Sequence, residues 1–326
     1  MKLSIVIPTF NNEKHIAIFF ASLKKQSYPK RLIEIIAVDG GSKDKTIPLL
    51  RKHKVRVFHN PYRLAEPGIS IGIKKTRGDL IMILAMDNFY HDPDGIKTIT
   101  NIFNDPTIYA AFPKHDSEKN YNLFSRYHNT FTDPFNHFIY GYAANARTFK
   151  RIYKTIETNQ IYDVYDYQLS PVKPMIALAQ GFTIRSSFQK RKEDFFDDCL
   201  PVIDLIDRGE KIAYVHSVSI YHDTTKSLSH FIRKQEWATQ NALLKKNYGV
   251  SHRINRLTQF QKVKVLFWPF YAFSTVLPFL RSVFGLLEDR NLIWLFHPVI
   301  SWFSAYASIS AIIRYTIAKK NYISRQ

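Results

Sequence analysis

One cysteine, Cys199, is all that the 326 residues contain. That excludes an internal disulfide framework and any zinc cluster built on cysteine, and it suits a reducing compartment. No Gly-x-Gly-x-x-Gly follows the first apolar run, which argues against a dehydrogenase. The apolar stretch from Leu3 to Ile7 is short and is closed by Pro8, so no secretory signal is expected there. Internal repeats and low-complexity segments are missing as well. Acidic residues are nearly absent from the C-terminal third: residues 226–326 hold 15 Lys/Arg against 3 Asp/Glu.

What is present fits a large buried core. Hydrophobic residues make up 45% and charged residues 22%, a balance that excludes disorder and fibrous classes. The formal net charge is +19, of which +12 lies in residues 226–326. A basic protein invites a nucleic-acid reading. Here, however, the excess charge flanks long aromatic and apolar segments, which points to an anionic membrane surface and not to nucleic acid.

The first 115 residues alternate short apolar runs with amphipathic helices, the pattern of a doubly wound α/β sheet. Strands are expected at 3–7, 33–38, 55–58, 80–85 and 108–112. Between the first two, Asn11 or Asn12 is placed to cap a helix that carries Ile16, Phe19, Phe20 and Leu23 on one face. A second helix is expected from about Asp94. Residues 116–175, rich in Asn, Tyr, Phe and Asp, read as loops and short helices. Regular structure returns with a strand at 176–184, a helix from about Asp198 to Arg208, a strand at 211–221, and a helix from beyond Thr225 to Tyr248, stopped by Gly249.

Two of the apolar runs end in turn chemistry. Leu-Ser-Ile-Val-Ile-Pro-Thr-Phe-Asn covers residues 3–11, and Ile-Ile-Ala-Val-Asp-Gly-Gly-Ser ends a second run on Asp39. Open α/β sheets place ligands at such strand exits. Asp39 can accept hydrogen bonds from a uracil or ribose, although as an isolated feature it reads sooner as a turn and cap residue. A third run, Asp-Leu-Ile-Met-Ile-Leu-Ala-Met-Asp, delivers Asp87 at its exit, followed by Asn88 and Phe89.

Together these motifs resemble the family-2 glycosyltransferases, whose GT-A fold carries the nucleotide site in its first half. The resemblance covers residues 1–225. It implies a GT-A catalytic domain there, with a nucleotide-binding half (1–115) and an acceptor half (116–225), and a helical, membrane-associated region at 226–326. It implies transfer, with inversion, from a UDP- or GDP-sugar to a lipid-linked or glycan acceptor. Pro8, Thr9, Asn11, Asp39 and Gly40 would contact the nucleotide, joined by Asp87 and Asn88. In the family an Asp-x-Asp motif holds Mg²⁺ or Mn²⁺ against the diphosphate. Here Phe89 replaces the second carboxylate, leaving Asp87, with His222 at the end of a later strand, as the metal ligands.

An acceptor hydroxyl must lose a proton as it attacks, so a carboxylate base is needed. The family supplies it from an acidic pair at a helix start, some eleven residues before a helix-ending glycine. Glu193-Asp194 matches the letters. Asp197-Asp198 matches the spacing to Gly209, and Pro201 suits a helix's first turn, which makes Asp198 the expected base. Two rival readings are a non-catalytic nucleotide-sugar-binding protein of the same fold and a basic membrane or nucleic-acid adaptor.

In the tail, Val265–Leu287 and Leu292–Ile313 are apolar stretches of 23 and 22 residues, each long enough to cross a bilayer as a helix. Basic residues lie before the first and after the second. The expectation is a hairpin with both ends on the cytoplasmic face, either across the bilayer or within the interface, or else a packed helical subdomain.

Overall fold

The computed structural model describes residues 1–192, 195–222, 224–244 and 253–323. The chain forms two compact units, Met1–Asp116 with Ala146–His222, and Ser117–Asn145 with Asp223–Gln326. The segment 117–145, expected in the acceptor half, thus folds with the C-terminal helices.

The first unit is built on a ten-stranded mixed sheet. Its strands are β1 (Leu3–Thr9), β2 (Ile33–Asp39), β3 (Arg56–His59), β4 (Leu80–Leu84), β5 (Asn88–Tyr90), β6 (Ile108–Asp116), β7 (Lys154–Thr158), β8 (Asp163–Asp166), β9 (Gln180–Arg185) and β10 (Lys211–His222). The order is β3-β2-β1-β4-β9-β6-β10-β8-β7, with β5 pairing β10. Strands β3, β2, β1 and β4 are mutually parallel, and β9 inserts antiparallel between β4 and β6. Since β6 and β10 are parallel to each other, two reversals across β9 bring β6 and β10 back into the direction of β4. The C-terminal ends of β1, β2, β4, β6 and β10 therefore share one sheet edge.

Every residue of β1 and of β4 is buried, as expected for parallel strands covered on both faces. Helices α1 (Glu13–Lys25), α2 (Thr46–Lys52), α3 (Ala65–Ile73) and α4 (Gly95–Ile102) connect them. Ile16, Phe19 and Leu23 of α1 enter the core. Asn12 occupies the N-cap of α1 but makes no side-chain cap bond; its amide donates instead to Thr9 Oγ1 at 3.0 Å. Helix α3 lies against β1 because Gly72 has no side chain, a Cβ there standing 2.4 Å from Val6 Cγ1.

Two expectations change in the later part of this unit. The strand expected at 176–184 begins only at Gln180 and runs to Arg185. Within the stretch expected to be loops and short helices, β7 and β8 form an antiparallel hairpin.

The second unit is helical. Among the described residues its α-helices are α5 (Leu123–Phe131), α6 (Pro134–Tyr140), α8 (Leu228–Thr239), α9 (Gln259–Phe273), α10 (Val276–Asp289) and α11 (His297–Ile323); α7 (Leu200–Asp207) belongs to the first unit. Asn122 and Asp133 cap α5 and α6 through the N–H groups of Ser125 and Asn136. Tyr127, Phe131, Phe231, Ile293, Trp294 and Ile300 form the core. Buried His297 bridges two tyrosines there, with Nδ1 2.5 Å from the Tyr127 hydroxyl and Nε2 2.9 Å from that of Tyr271. The expected stop at Gly249 lies outside the described residues. The apolar stretch 265–287 is not one straight helix: it is divided between α9 and α10, which meet at 95°.

Candidate active site

The shared edge begins with paired strand exits. Thr9 stands opposite Asp39 in the β1–β2 register, and both are buried. Gly40 N–H donates to Thr9 O at 2.9 Å, which ties the two exits together. The Asp39 carboxylate serves its own turn: Oδ2 accepts from the N–H groups of Gly41 and Ser42 at 2.8 and 2.9 Å, and Oδ1 from Ser42 Oγ at 2.5 Å. The turn role and a ligand role are compatible, because a carboxylate offers about four acceptor positions. Asn11, at φ 50°, clamps the neighbouring loop, its N–H donating to Ser42 Oγ at 2.8 Å and its Oδ1 accepting from Lys43 N–H at 2.9 Å. Pro8, Thr9, Asn11, Asp39 and Gly40 thus form one continuous rim.

Beyond the end of β4, Asn88 N–H donates to Ala85 O at 3.1 Å, a turn that presents Asp87. Strand β5 then pairs with β10 so that Asn88 faces His222. This register brings His222 Nε2 to 3.2 Å from Asp87 Oδ2, so residues 135 positions apart in sequence meet at one point of the edge. Phe89, in place of a second carboxylate, is buried in the main core. Asn88 Nδ2 donates to Ala179 O at 3.1 Å, while its Oδ1 is buried with no hydrogen-bond partner. The carboxylate of Asp87 and the imidazole of His222 are oxygen and nitrogen ligands that suit a hard divalent ion, and Asn88, paired with His222 in register, has an amide oxygen to add.

His115 at the end of β6 is a neighbour absent from the sequence reading. Burial, and then the proximity of His222, push its pKa down to about 3; it is a neutral imidazole at physiological pH. Arg147 pairs with Asp116 at 3.2 Å.

The acidic pair divides its labour. Asp197 is buried, and its Oδ1 accepts from Cys199 N–H at 2.7 Å and Leu200 N–H at 2.8 Å, capping α7. Asp198 is half-buried, and its main-chain oxygen accepts from Leu178 N–H at 3.1 Å. Gly209, at φ 79°, follows the helix as the spacing required. The rival pair Glu193-Asp194 lies outside the described residues. Asp197, Asp198 and Cys199 offer ligand atoms within 4.8 Å of one another, but the cap bonds already engage Asp197.

A third carboxyl group belongs to this corner. Glu66, in the first turn of α3, is 3% exposed. Burial, and then the charge of Asp198, raise its pKa to about 8, with Lys190 opposing. Its Oε2 has no hydrogen-bond partner. Lys190 Nζ donates to the main-chain oxygens of Glu66 and Phe195 at 3.4 and 3.3 Å, and Tyr62 packs edge-on against Phe195 and Phe196. These contacts hold the strand-β3 exit against the loop that leads to Asp198. Sequence reasoning missed Glu66 because a glutamate between Ala65 and Pro67 reads as an exposed first-turn residue; only tertiary packing buries it.

The family model for glycosyl transferase family 2 matches residues 4–168 of this chain. Among curated relatives, the poly(ribitol-phosphate) β-N-acetylglucosaminyltransferase TarS of Staphylococcus aureus (strain Mu50) is 30% identical over 95 residues, 27% of this chain and 17% of TarS. A dolichyl N-acetyl-α-D-glucosaminyl phosphate glycosyltransferase of Methanococcus voltae, which transfers a diacetamido-dideoxyglucuronosyl group, is 34% identical over 102 residues, 29% of this chain and 32% of that protein. The O-antigen chain rhamnosyltransferase RfbN of Salmonella typhimurium is 32% identical over 127 residues, 37% of this chain and 40% of RfbN. The alignments therefore span less than half of each relative's length. The mannosyltransferase PcManGT of Pyrobaculum calidifontis, solved with GDP-mannose and Mn²⁺, superposes with a TM-score of 0.54 at 12% identity, over 95% of this chain and 87% of that one. That likeness establishes a common fold. With the family model matching half of the chain, including strands β1, β2, β4 and β6, the protein belongs to glycosyl transferase family 2.

Proposed function

We propose that this protein transfers a sugar from a nucleoside-diphosphate donor to a hydroxyl group of a glycan or lipid-linked acceptor, inverting the anomeric centre. The observation that carries the reading is the meeting of Asp87 with His222 on the same sheet edge as Asp39, with Asp198 at the start of α7 as a separate carboxylate.

The rim of Pro8, Thr9, Asn11, Asp39 and Gly40 holds the nucleoside, Asp39 accepting from base or ribose with the oxygen capacity its turn leaves. Asp87, His222 and the Asn88 amide oxygen would hold Mg²⁺ or Mn²⁺, which supplies charge neutralisation for the departing diphosphate. Asp198 accepts the proton of the acceptor hydroxyl as its oxygen bonds to the anomeric carbon and the bond to the diphosphate oxygen breaks. The partial positive charge at the α7 N-terminus favours the ionised, proton-accepting form. Glu66, kept protonated by its burial, adds no further negative charge to the corner that Asp197 and Asp198 share. The relatives' printed acceptors, a polyol-phosphate polymer, a dolichyl-linked sugar and an O-antigen chain, support a glycan or lipid-linked acceptor.

A thermal-shift panel of nucleotide sugars tests the donor, since a ligand that binds only the folded state raises the melting temperature by mass action. Donor consumption with and without Mn²⁺ then tests the reaction. A panel with no shift, together with no donor turnover at any metal concentration, would refute the reading.

A further inference from the structure

Helices α9 and α10 wear their apolar residues on the outside. Phe260, Leu266 and Phe270 of α9, and Phe279, Phe284 and Leu287 of α10, are between 56% and 84% exposed. With Val263, which is 60% exposed, they recur at three- to five-residue intervals, so each helix carries a continuous outward stripe. The polar groups are turned the other way. Lys264 Nζ donates to Phe138 O at 2.9 Å. Arg281 lies 4.3 Å from the Trp294 ring centre and 3.6 Å from Glu288, and Asp289 accepts from Trp294 Nε1 at 2.7 Å. The faces packed into the unit are those of Trp268, Tyr271 and Ala272 on α9, and of Pro278, Ser282 and Gly285 on α10. An apolar surface of this extent, with Lys264, Arg281 and Asp289 engaged by the helical unit, marks an interaction site.

We infer that this face is seated in the interface of an anionic lipid bilayer, with α9 and α10 lying in the plane of the headgroups and neither crossing the membrane. At 15 and 14 residues each helix is about 20 Å long, short of the roughly 30 Å hydrocarbon core, and the 95° bend between them prevents a joint straight span. The break falls at Ser274 and Thr275, the latter at φ 55°. The longer α11 has the length to span, but its Ser301, Ser304, Ala305, Ala307 and Ala311 are buried within the helical unit, so it forms the support for the other two. The 15 basic against 3 acidic residues of the region complement a negative headgroup layer, which selects a lipid surface over an ordinary protein partner. The inference deepens the lipid-linked part of the proposed function and does not depend on the transfer chemistry.

Flotation of the full-length protein with vesicles tests it, using phosphatidylcholine alone or mixed with phosphatidylglycerol. The expected result is partition onto the anionic vesicles, weakened by salt, and release by alkaline carbonate. The pair Leu266→Glu and Phe284→Glu should lower that partition by about tenfold or more, with melting temperature and donor consumption unchanged. The milder pair Phe270→Ser and Phe279→Ser gives the same readout if the acidic pair impairs folding. Partition that is indifferent to lipid charge and to salt would overturn the inference. So would carbonate-resistant insertion, undiminished binding by both pairs, or a dimer in solution that these substitutions dissociate while the wild type ignores vesicles. Failure of the sugar-transfer reading would appear instead in donor consumption, which vesicle binding does not measure.

Discussion

His222 reaches Asp87 because the residue after Asp87 pairs with His222 itself: Asn88 and His222 face each other across β5 and β10, and the imidazole Nε2 then lies 3.2 Å from the carboxylate. A three-residue strand thus determines the geometry of the proposed ion site. Whatever shifts β5 along β10 by one residue would turn His222 away, since alternate residues of a strand face opposite sides.

Asp87→Asn should therefore weaken donor binding at least tenfold in the presence of Mn²⁺ while leaving the ion-free affinity nearly unchanged, because an amide keeps the shape of the turn but not the charge. His222→Ala should show a smaller loss of the same kind. Calorimetry with and without Mn²⁺ checks this, and equal affinity and equal Mn²⁺ dependence in all three proteins would refute it.

Asp198→Asn should keep donor affinity and lower turnover by about 10² or more, since the amide cannot take the acceptor proton. Asp197→Asn is expected to act differently. Its carboxylate caps α7 through two N–H groups, so the cost appears in stability, about 0.5–2 kcal/mol, read as a lower melting temperature. If Asp194→Asn abolishes turnover and Asp198→Asn does not, the base has been assigned to the wrong pair.

The pH dependence of stability should carry the signature of Glu66. Its carboxyl is raised in the folded state to about 8 by burial and by Asp198, against about 4.3 in the unfolded chain. The unfolded chain releases this proton first as pH rises. Glu66 therefore contributes stability that is fully present below about pH 4 and is progressively lost until about pH 8, at a slope of order 1 kcal/mol per pH unit. Glu66→Gln should flatten the profile in that window and be the more stable protein at pH 8. Asp198→Asn should move the end of the window to lower pH, because one of the charges that raises Glu66 is gone. A wild-type profile already flat from pH 5 to 8 would sink the assignment.

Much of this edge was legible because strand exits have a local chemistry. Runs of Ile, Val and Leu ending in Pro-Thr, Asp-Gly or Met-Asp announced β1, β2 and the segment after β4, and the eleven-residue spacing to Gly209 located α7. The partners of those exits were not legible. Strand β5 is three residues long, below any period that sequence alone reveals. The hairpin of β7 and β8 went unread because β7 is exposed at four of its five positions and lacks the alternation of a half-buried strand. Glu66 looked like a solvated helix start. In the tail, hydropathy gave the length of the apolar stretch 265–287 but not its fold, since the break at Thr275 depends on one backbone conformation.

The packing of α3 on β1 should be as sensitive as the site it supports. Gly72→Ala would place a methyl group 2.4 Å from Val6 Cγ1 and 3.1 Å from Val38 Cγ2, both in buried strands. Overpacking of this kind costs about 1–3 kcal/mol, which in a domain of this size lowers the melting temperature by roughly 2–4 °C per kcal/mol. The effect should extend to the other end of the helix. Pushing α3 off the sheet loosens the burial that keeps Glu66 protonated, so the pH window of stability should narrow in this variant although neither Glu66 nor Asp198 has been changed. Surface substitution of the same helix at Ile71, which is half-exposed, should leave both quantities where they are. If Gly72→Ala melts with the wild type, or if it melts early with an unaltered pH window, the link from the helix–sheet contact to the protonation of Glu66 is broken.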